Sequence, residues 1–484
     1  MPELFPALRN ETTKIAVRFG DTALNYADLA ALAGALATRL REAAPAATTP
    51  PRVAVWATAS PETVVATLAA LLAGTPAIPI NPRSGEQELT HILADSEPAL
   101  VLTAPDTPLP DPLANTPVWA VDLSVSAPAQ LPTTPDPETT ALIIYTSGTT
   151  GVPKGVMLPH RAITSSLDAI AEVWHWGSED VLAHALPLFH VHGLILGVLG
   201  ALRRGSTVIH LGRFDTTAVR TALAERANML FAVPTMYHRI ADALPDDPAL
   251  TDALRRARLL VSGSAALPVH DHERITAATG QRVVERYGLS ETLMNTSVRL
   301  DSPPKAGTVG FALPGVSLRL RGERGEVLET HDAETIGEIE VSGPNLFTGY
   351  LNRPDATAEV FDGTWFVTGD MATRDADGYI RIVGRKSTDI INSGGHKIGA
   401  VEIENALLEH HSVAEAAVTA EPDPDLGERV VAWIVPRDSA PDTDEIAAHV
   451  ARLLAPHKRP REIRTLRELP RNDMGKVRKR ALTR

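Results

Sequence analysis

The stretch Tyr145-Thr-Ser-Gly-Thr-Thr-Gly-Val-Pro-Lys154-Gly155 follows a short apolar run, residues 141–145, that predicts a buried strand. Glycines let a backbone approach a ligand closely and point N–H groups at its oxygens. Hydroxyls add donors, and a lysine adds a mobile positive charge. The composition favours a polyphosphate over the alternative of a plain surface turn. It is not a Walker A loop, because Lys154 precedes the last glycine and no Ser or Thr follows it.

Composition and charge restrict the class of protein. The 484 residues are 44% hydrophobic and 22% charged, as in ordinary globular proteins, and the length suits two or three domains. A formal net charge of −13 argues against nonspecific nucleic-acid binding. Without cysteine, the chain has no disulfide, thiolate metal site or cysteine nucleophile. The start Met1-Pro-Glu-Leu-Phe-Pro lacks the layout of a signal peptide, so we expect a cytoplasmic protein.

One segment, residues 185–202, carries no formal charge and is about long enough to span a membrane. Pro187, His190, His192 and three glycines lie within it. These residues favour a loop followed by a buried helix, so we predict a core element and no membrane association.

Strands and helices alternate through much of the first half of the chain. Residues 52–57 predict a strand, and Ser60-Pro61 predicts the start of a helix that Gly74 ends. This alternation implies largely parallel sheets covered by helices. Further predicted pairs of a strand and the following helix are 207–211 and 216–226, 229–233 and 235–243, and 258–262 and 268–279.

From about residue 306 to 384 the pattern changes to short strands and turns, as in Gly337–Val341, which predicts a β-rich closing subdomain. The remaining residues have an α+β pattern of their own. We predict two domains, residues 1–385 and 386–484. In the second, helices are expected near 401–409 and 443–454 and strands near 414–419 and 429–435.

Further motifs follow the opening loop in the chain. They include Arg286-Tyr-Gly-Leu-Ser-Glu-Thr292, Phe366-Val-Thr-Gly-Asp370, Gly384-Arg385 with Gly394-Gly395, and Leu469-Pro-Arg-Asn-Asp-Met-Gly-Lys476. In this order, and over most of the chain, they resemble the motifs of the adenylate-forming superfamily of acyl-CoA synthetases, luciferases and peptide-synthetase adenylation domains. The resemblance implies an α/β fold with a large N-terminal domain of two helix-covered sheets plus a β-rich subdomain, and a small mobile α+β C-terminal domain.

The same resemblance implies an ATP site. Tyr287 would stack on adenine, and Asp370 would accept hydrogen bonds from the ribose hydroxyls. Thr149 and Glu291 would hold Mg²⁺, a hard cation that prefers oxygen ligands. Taken alone, Ser262-Gly263 is equally typical of a simple turn. The residues expected to bind ATP are Thr146, Ser147, Gly148, Thr149, Thr150, Gly151, Lys154, Ser262, Gly263, Arg286, Tyr287, Gly288, Ser290, Asp370 and Arg385.

Two half-reactions are implied by the resemblance. Lys476 would bridge the acid and the α-phosphate of ATP, and the C-terminal domain would then rotate to admit CoA. One residue more than the family pattern separates Arg385 from Gly395, so the hinge is expected anywhere from Lys386 to Asp389. The residues expected to contact CoA are Ser393, Gly394, Gly395, His396 and Arg459, although the basic run 457–461 is equally compatible with a solvated turn.

The acid substrate is the most specific prediction. His190 is expected to take part in catalysis as a gate of the acid pocket, which His192, Gly193, Met294 and Arg299 would line. Arg239 would pair with a second carboxylate, or is simply a solvated helix arginine. The phrases Val233-Pro-Thr-Met-Tyr-His-Arg239 and Glu291-Thr-Leu-Met-Asn-Thr-Ser297 resemble malonyl-CoA synthetases, which implies malonate or methylmalonate.

Three alternatives remain open at this point. The first is a CoA ligase for short-chain, medium-chain or aryl monocarboxylic acids. The second is a non-enzymatic relative that binds ATP, and the third is a ligase that loads a carrier protein instead of CoA. The expected partners are a small carboxylic acid, ATP and CoA, with no nucleic acid, and we expect a monomer.

Overall fold

Runs of consecutive apolar residues form central strands, as in Val53–Trp56 and Leu100–Thr103, where every residue is buried. The computed structural model describes residues 3–10, 12–43, 51–124, 131–146, 152–437, 441–472 and 475–483. Within these ranges four sheets and the helices packed on them form the mixed α/β architecture expected from the sequence.

The first helix-covered sheet has seven strands. Helices Pro61–Ala73 and Glu86–Ser96 connect its parallel strands, while a hairpin forms one side. Helix Pro61–Ala73 begins and ends where predicted, and Gly74 adopts a left-handed φ of 73°. The Ser60 side chain, however, makes no capping hydrogen bond. The strands in spatial order are Gly349–Tyr350, Lys154–Pro159, Thr140–Thr146, Ala77–Ile80, Val53–Trp56, Leu100–Thr103 and Val118–Ala120.

The second helix-covered sheet has nine strands and contains the predicted strand–helix pairs. Its strands in spatial order are Phe311–Ala312, Thr296–Ser297, Val283–Tyr287, Leu259–Ser262, Met229–Ala232, Val181–His184, Thr207–His210, Ile15–Phe19 and Thr22–Asn25. The helices that follow its strands in the chain include Thr216–Glu225, Pro234–Ala243, Pro248–Arg256 and Val269–Thr279. Helix Tyr26–Ala43 follows strand Thr22–Asn25, and helix His160–Trp174 precedes strand Val181–His184.

Residues 185–202 form the loop and buried helix that were predicted. Val191–Leu199 is a fully buried π-helix, and Gly200–Arg204 continues it as an α-helix. None of the helices in the described ranges has the length and apolar character needed to span a bilayer.

Two smaller sheets follow in the chain. The β-rich subdomain contains strands Ser317–Arg321, Gly337–Ser342, Phe361–Asp362, Trp365–Arg374 and Ile380–Arg385, with the short helix Pro354–Ala358. The C-terminal sheet contains Ile390–Ser393, His396–Gly399, Val413–Asp423, Gly427–Pro436 and Glu462–Thr465, covered by helices Ala400–Leu408 and Thr443–Leu453. It has a separate apolar core, which includes Ile391, Ile403 and Val430. The proposed domain boundary, between residues 385 and 386, falls at the end of strand Ile380–Arg385. Four residues separate this strand from strand Ile390–Ser393, which belongs to a different sheet.

Candidate active site

Four parallel strands end at one edge of the nine-stranded sheet: Val181–His184, Met229–Ala232, Leu259–Ser262 and Val283–Tyr287. Open α/β sheets bind ligands outside the carboxyl ends of their strands. The loops that follow these strands carry part of the predicted acid pocket and of the predicted nucleotide site, so the topology brings distant motifs to one edge. These residues are His192, Gly193, Gly263, Gly288, Ser290 and Met294.

The predicted phosphate loop joins two paired strands. Thr146 lies opposite Lys154 in the hairpin of Thr140–Thr146 and Lys154–Pro159. The Lys154 Nζ lies 4.7 Å from the centroid of the Tyr350 ring, which holds the ammonium by a cation–π contact. The intervening Ser147, Gly148, Thr149, Thr150 and Gly151 lie outside the described residues.

Tyr287, Asp370 and Arg385 form one hydrogen-bonded group. The Tyr287 hydroxyl donates to Asp370 Oδ2 at 2.6 Å, and Arg385 Nη1 donates to Asp370 Oδ1 at 2.9 Å. Burial and the adjacent Asp370 carboxylate raise the pKa of Tyr287 well above its usual value, so the hydroxyl remains a donor. Asp370 is therefore held in place by two donors, one on each carboxylate oxygen.

Glu291 is positioned by a residue that the sequence did not reveal. The Tyr350 hydroxyl donates to Glu291 Oε1 at 2.9 Å, and the carbonyl of Glu291 accepts from the Phe347 N–H at 2.8 Å. Tyr350 lies in a two-residue strand beside the phosphate-loop hairpin, so only the fold connects it with Glu291. No cluster of three His, Cys, Asp or Glu side chains suited to a metal occurs in the described part of the chain.

The loop that carries Ser290 and Glu291 depends on a close backbone approach. A Cβ on Gly288 would lie 1.7 Å from the Leu293 carbonyl oxygen, so a side chain is impossible there. Leu293 itself has a φ of 51°. Ser290 is half-buried in this loop. The close backbone approach alone therefore explains why residue 288 is glycine, and no contact with ATP is needed to explain it.

Arg286, expected at the nucleotide, lies beside Gly263 and near His192. Adjacent residues of a strand point to opposite faces, so Arg286 turns away from Tyr287. It is 6% exposed, and a Cβ on Gly263 would lie only 2.5 Å from its Cζ. Its Nε and Nη2 find no hydrogen-bond partner, and it forms no ion pair, among the described residues. Burial lowers the pKa of Arg286 to about 10.

Two more buried polar atoms at this end of the sheet lack a hydrogen-bond partner among the described residues. Ser262 Oγ and His192 Nε2 have no partner within the described ranges, and His192 Nδ1 lies 3.4 Å from Ser264 Oγ. Burial, followed by the nearby Arg286 charge, lowers the pKa of His192 well below its usual value, so the imidazole is neutral. Gly263, expected at the nucleotide, therefore lies against Arg286, whereas Ser262 is the register partner of Glu285, the residue before it.

Three other residues predicted for the acid pocket, His190, Gly193 and Met294, are buried or half-buried. His190 is half-buried beside Phe189, with ring centroids 4.7 Å apart, and its charge disfavours protonation of His192. Met294 is buried, and its N–H donates to Ser166 Oγ at 3.1 Å. Gly193 is required by packing, since a Cβ there would lie 2.2 Å from the Pro187 carbonyl oxygen.

Arg239 and Arg299 do not fit their predicted places. Arg239 is exposed on helix Pro234–Ala243, whose buried residues are Tyr237, Ile240 and Ala241, so burial gives it no need of an anion. Arg299 lies near the amino end of strand Val283–Tyr287, where its carbonyl accepts from Arg282 Nη2 at 2.9 Å. The candidate site is at the opposite end of that strand.

Lys476 reaches the same sheet edge from the C-terminal domain. Its N–H donates to Asn472 Oδ1 at 2.9 Å, which closes a tight loop. A Cβ on Gly475 would lie 3.1 Å from Thr235 Oγ1, so this loop contacts the start of helix Pro234–Ala243. Lys476 itself is exposed.

Within the predicted hinge segment, Asp389 contacts residues on both sides of the predicted domain boundary. Its Oδ2 accepts from the Arg385 N–H at 2.9 Å, and its Oδ1 lies 2.7 Å from Lys479 Nζ. Lys386 instead pairs with Glu338 of the β-rich subdomain at 2.8 Å.

All the predicted CoA residues except Gly395 line a cavity of about 320 Å³. Gly394 and Gly395 have φ values of 56° and 79°, a left-handed conformation that favours glycine. The turn alone therefore explains why both residues are glycine. The His396 ring stacks on His457 at 4.2 Å. Arg459 lines the cavity, but its guanidinium donates to the Leu454 and Ala451 carbonyls and caps helix Thr443–Leu453. The exposed Arg461, which was not predicted as a separate contact, also lines it.

Comparisons with family models and with known proteins agree on one family for this chain. The family model described as AMP-binding enzyme matches residues 5–351, and the AMP-binding enzyme C-terminal domain matches residues 402–476. The malonate–CoA ligase of Arabidopsis thaliana is 36% identical over 484 residues, covering 89% of this chain and 77% of that protein.

Two solved structures are similar over nearly the whole chain. A malonyl-CoA ligase in a ternary product complex with methylmalonyl-CoA and AMP is 59% identical, with a TM-score of 0.75 over 96% of this chain and 100% of that one. ATP-bound MatB from Rhodopseudomonas palustris is 33% identical, with a TM-score of 0.90 over 99% of this chain and 98% of that one.

Proposed function

Because this chain belongs to the AMP-binding enzyme family, we propose that it is an ATP-dependent acid–CoA ligase for malonate or methylmalonate. A carboxylate of the acid attacks the α-phosphorus of ATP, and the bond to pyrophosphate breaks. The sulfur of CoA then attacks the acyl carbonyl with loss of the thiol proton, and AMP leaves.

The observation that carries the choice of acid is Arg286. A buried guanidinium without a partner is costly, and a carboxylate can satisfy it by two parallel hydrogen bonds. The neutral His192 offers a polar atom near it. These two groups suit the second carboxylate of a dicarboxylic acid, whereas an apolar acyl chain would leave both unsatisfied. Arg286 thus takes the role predicted for Arg239.

The first half-reaction joins two anions, so catalysis depends mainly on positioning and charge neutralisation. Asp370 is oriented by Tyr287 and Arg385 to receive the ribose. Lys154 lies near the phosphate loop and Lys476 on the loop that contacts Thr235. These positions support the nucleotide roles expected for the four charged residues.

Glu291 fits Mg²⁺ as a single carboxylate oriented by Tyr350. Mg²⁺ on ATP is usually held by phosphate oxygens, waters and one or two protein carboxylates, so a larger cluster is not required. When bound, the cation would neutralise phosphate charge and orient the pyrophosphate leaving group. Thr149 remains the second proposed ligand.

The domain arrangement suits the first half-reaction. The Gly475 loop contacts Thr235, and the ATP-bound relative superimposes better than the product complex despite its lower identity. We assign residues 1–385 and 386–484 to the two domains, with Asp389 at the hinge, and the cavity beside His396 to CoA. We also propose that the protein acts as a cytoplasmic monomer.

An ATP–pyrophosphate exchange assay across a panel of acids tests this function. We expect exchange with malonate and methylmalonate to exceed that with acetate, butyrate and ferulate by at least about 100-fold in kcat/KM, since the monoacids leave Arg286 unpaired. Product formation should require CoA and release AMP. Preference for a monocarboxylic acid, or acyl transfer to a carrier protein alone, would contradict the proposal.

A further inference from the structure

Helix Glu86–Ser96 contacts the strand that leads into the phosphate loop. The Tyr145 hydroxyl donates to Asp95 Oδ2 at 2.7 Å across the edge of the seven-stranded sheet. Tyr145 lies directly before Thr146, the first residue of the predicted loop, and both residues of the pair are half-buried. The hydrogen bond therefore fixes the side chain next to the point where the chain leaves the sheet.

The same helix also contacts the strand that leaves the loop. Nε2–H of His91, one helical turn before Asp95, donates to the Pro153 carbonyl at 2.8 Å. Pro153 immediately precedes Lys154. Gly155 completes the contact, because a Cβ there would lie 3.1 Å from Tyr145 Cζ and 2.9 Å from Ile143 Cγ2. One rigid helix thus holds both sides of the loop.

A third contact links this helix to the residue that orients Glu291. Asn352 Nδ2 donates to the Asp95 carbonyl at 2.8 Å and lies 3.3 Å from Asp95 Oδ1. The Leu351 N–H donates to the Gly155 carbonyl at 2.8 Å. Since Tyr350 precedes these residues, Asp95 connects the loop with the Tyr350–Glu291 pair.

We infer that Asp95, Tyr145 and His91 are positioning residues that hold the two described ends of the phosphate loop, at Thr146 and Lys154, for ATP binding. The inference rests on the proposed function only in taking ATP as the ligand of this loop. A mobile loop must lose conformational entropy when it binds phosphates, and an anchored one loses less. Asp95 and Tyr145 do not contact the acid pocket residues Arg286 or His192 in any hydrogen bond within the described ranges. Their loss should therefore weaken ATP binding without changing the choice of acid.

The test uses the full-length protein with Tyr145→Phe, Asp95→Ala, His91→Ala and the Tyr145→Phe/Asp95→Ala double variant. We expect each single variant to raise the KM for ATP in malonate-dependent exchange by about 5-fold, with the KM for malonate unchanged. The double variant should be no worse than Asp95→Ala, because both changes remove one hydrogen bond. Asp95→Asn, whose amide oxygen still accepts, should restore most of the ATP affinity. Acyl transfer to CoA from supplied malonyl-adenylate should be unaffected.

Tyr26→Phe is the matched control. The Tyr26 hydroxyl donates to the Ser206 carbonyl at 2.7 Å in the core, so this variant should lose stability and keep its KM for ATP. An unchanged KM for ATP in folded Tyr145→Phe, or equal losses for ATP, malonate and the CoA step, would overturn the inference. Tyr145→Phe removes only one oxygen, so it serves even if Asp95→Ala does not fold. If the wild type shows no malonate-dependent exchange, the proposed acid fails, and calorimetric binding of Mg-ATP to the same variants still decides the positioning role.

Discussion

Arg385 and Arg286 lie in the two halves of the candidate site, and their surroundings differ. Arg385 is paired with Asp370 at 2.9 Å, and Asp370 also receives the Tyr287 hydroxyl. Arg286 is more deeply buried and has no carboxylate partner among the described residues. Under the proposed assignment, the nucleotide side is therefore satisfied before ATP binds, whereas the acid side gains its partner only from the ligand. This difference would allow the acid side to select the acid without affecting ATP binding.

Substitution of the two arginines by methionine should have opposite effects on stability. Arg385→Met leaves the Asp370 carboxylate without its partner, so we expect a loss of roughly 2 kcal/mol and weaker ATP binding. Arg286→Met removes an unpaired buried charge, so the ligand-free protein should melt at the same temperature or slightly higher. Thermal unfolding without ligands and calorimetric titration with Mg-ATP measure both effects. Equal destabilisation by the two substitutions would show that Arg286 has a partner in the free protein.

The neutral histidine of the acid side predicts a dependence of stability on pH. The pKa of His192 is lowered in the folded protein, so below about pH 6.5 the unfolded chain binds a proton that the folded chain does not. The free energy of unfolding should therefore fall as the pH decreases from 6.5. His192→Gln should reduce this slope by up to about 1.4 kcal/mol per pH unit. Urea unfolding at pH 7 and pH 5 measures it, and an unchanged slope would mean that His192 is protonated in the folded protein.

The smallest effect is expected for the arginines that the structure places outside the acid pocket. Because Arg239 is exposed and Arg299 lies at the far end of its strand, Arg239→Ala and Arg299→Ala should change the malonate-to-butyrate ratio of kcat/KM by less than about 2-fold. They serve as same-charge controls for Arg286. A selective loss of malonate exchange in Arg239→Ala would restore the original expectation.

Sequence patterns predicted most of the fold because they are local. The apolar run before Tyr145, the Pro61 start and Gly74 end of one helix, and the alternation through residues 207–279 all report the backbone around them. Parallel strands bring their following loops to one edge, so several motifs that are distant in the sequence lie together there.

The assignment of Arg286 shows where such reasoning stops. Its neighbour Tyr287 points towards Asp370, but consecutive strand residues face opposite ways, so adjacency in the motif does not place Arg286 on the same side. For Arg239, the sequence does not reveal which face of the helix is buried, and the structure leaves this side chain exposed. Tyr350 lies in no motif of the sequence, and only tertiary contacts bring it to Glu291 and Thr235 to Gly475.

The ratio of kcat/KM for malonate to that for butyrate, measured by ATP–pyrophosphate exchange in the wild type and in Arg286→Met, tests the central claim most directly. Loss of one partner of a buried charge pair costs several kcal/mol, so the ratio should fall by at least about 100-fold in Arg286→Met, while the KM for ATP stays the same. A ratio that is unchanged, with exchange lowered equally for both acids, would contradict the assignment of Arg286 to the second carboxylate.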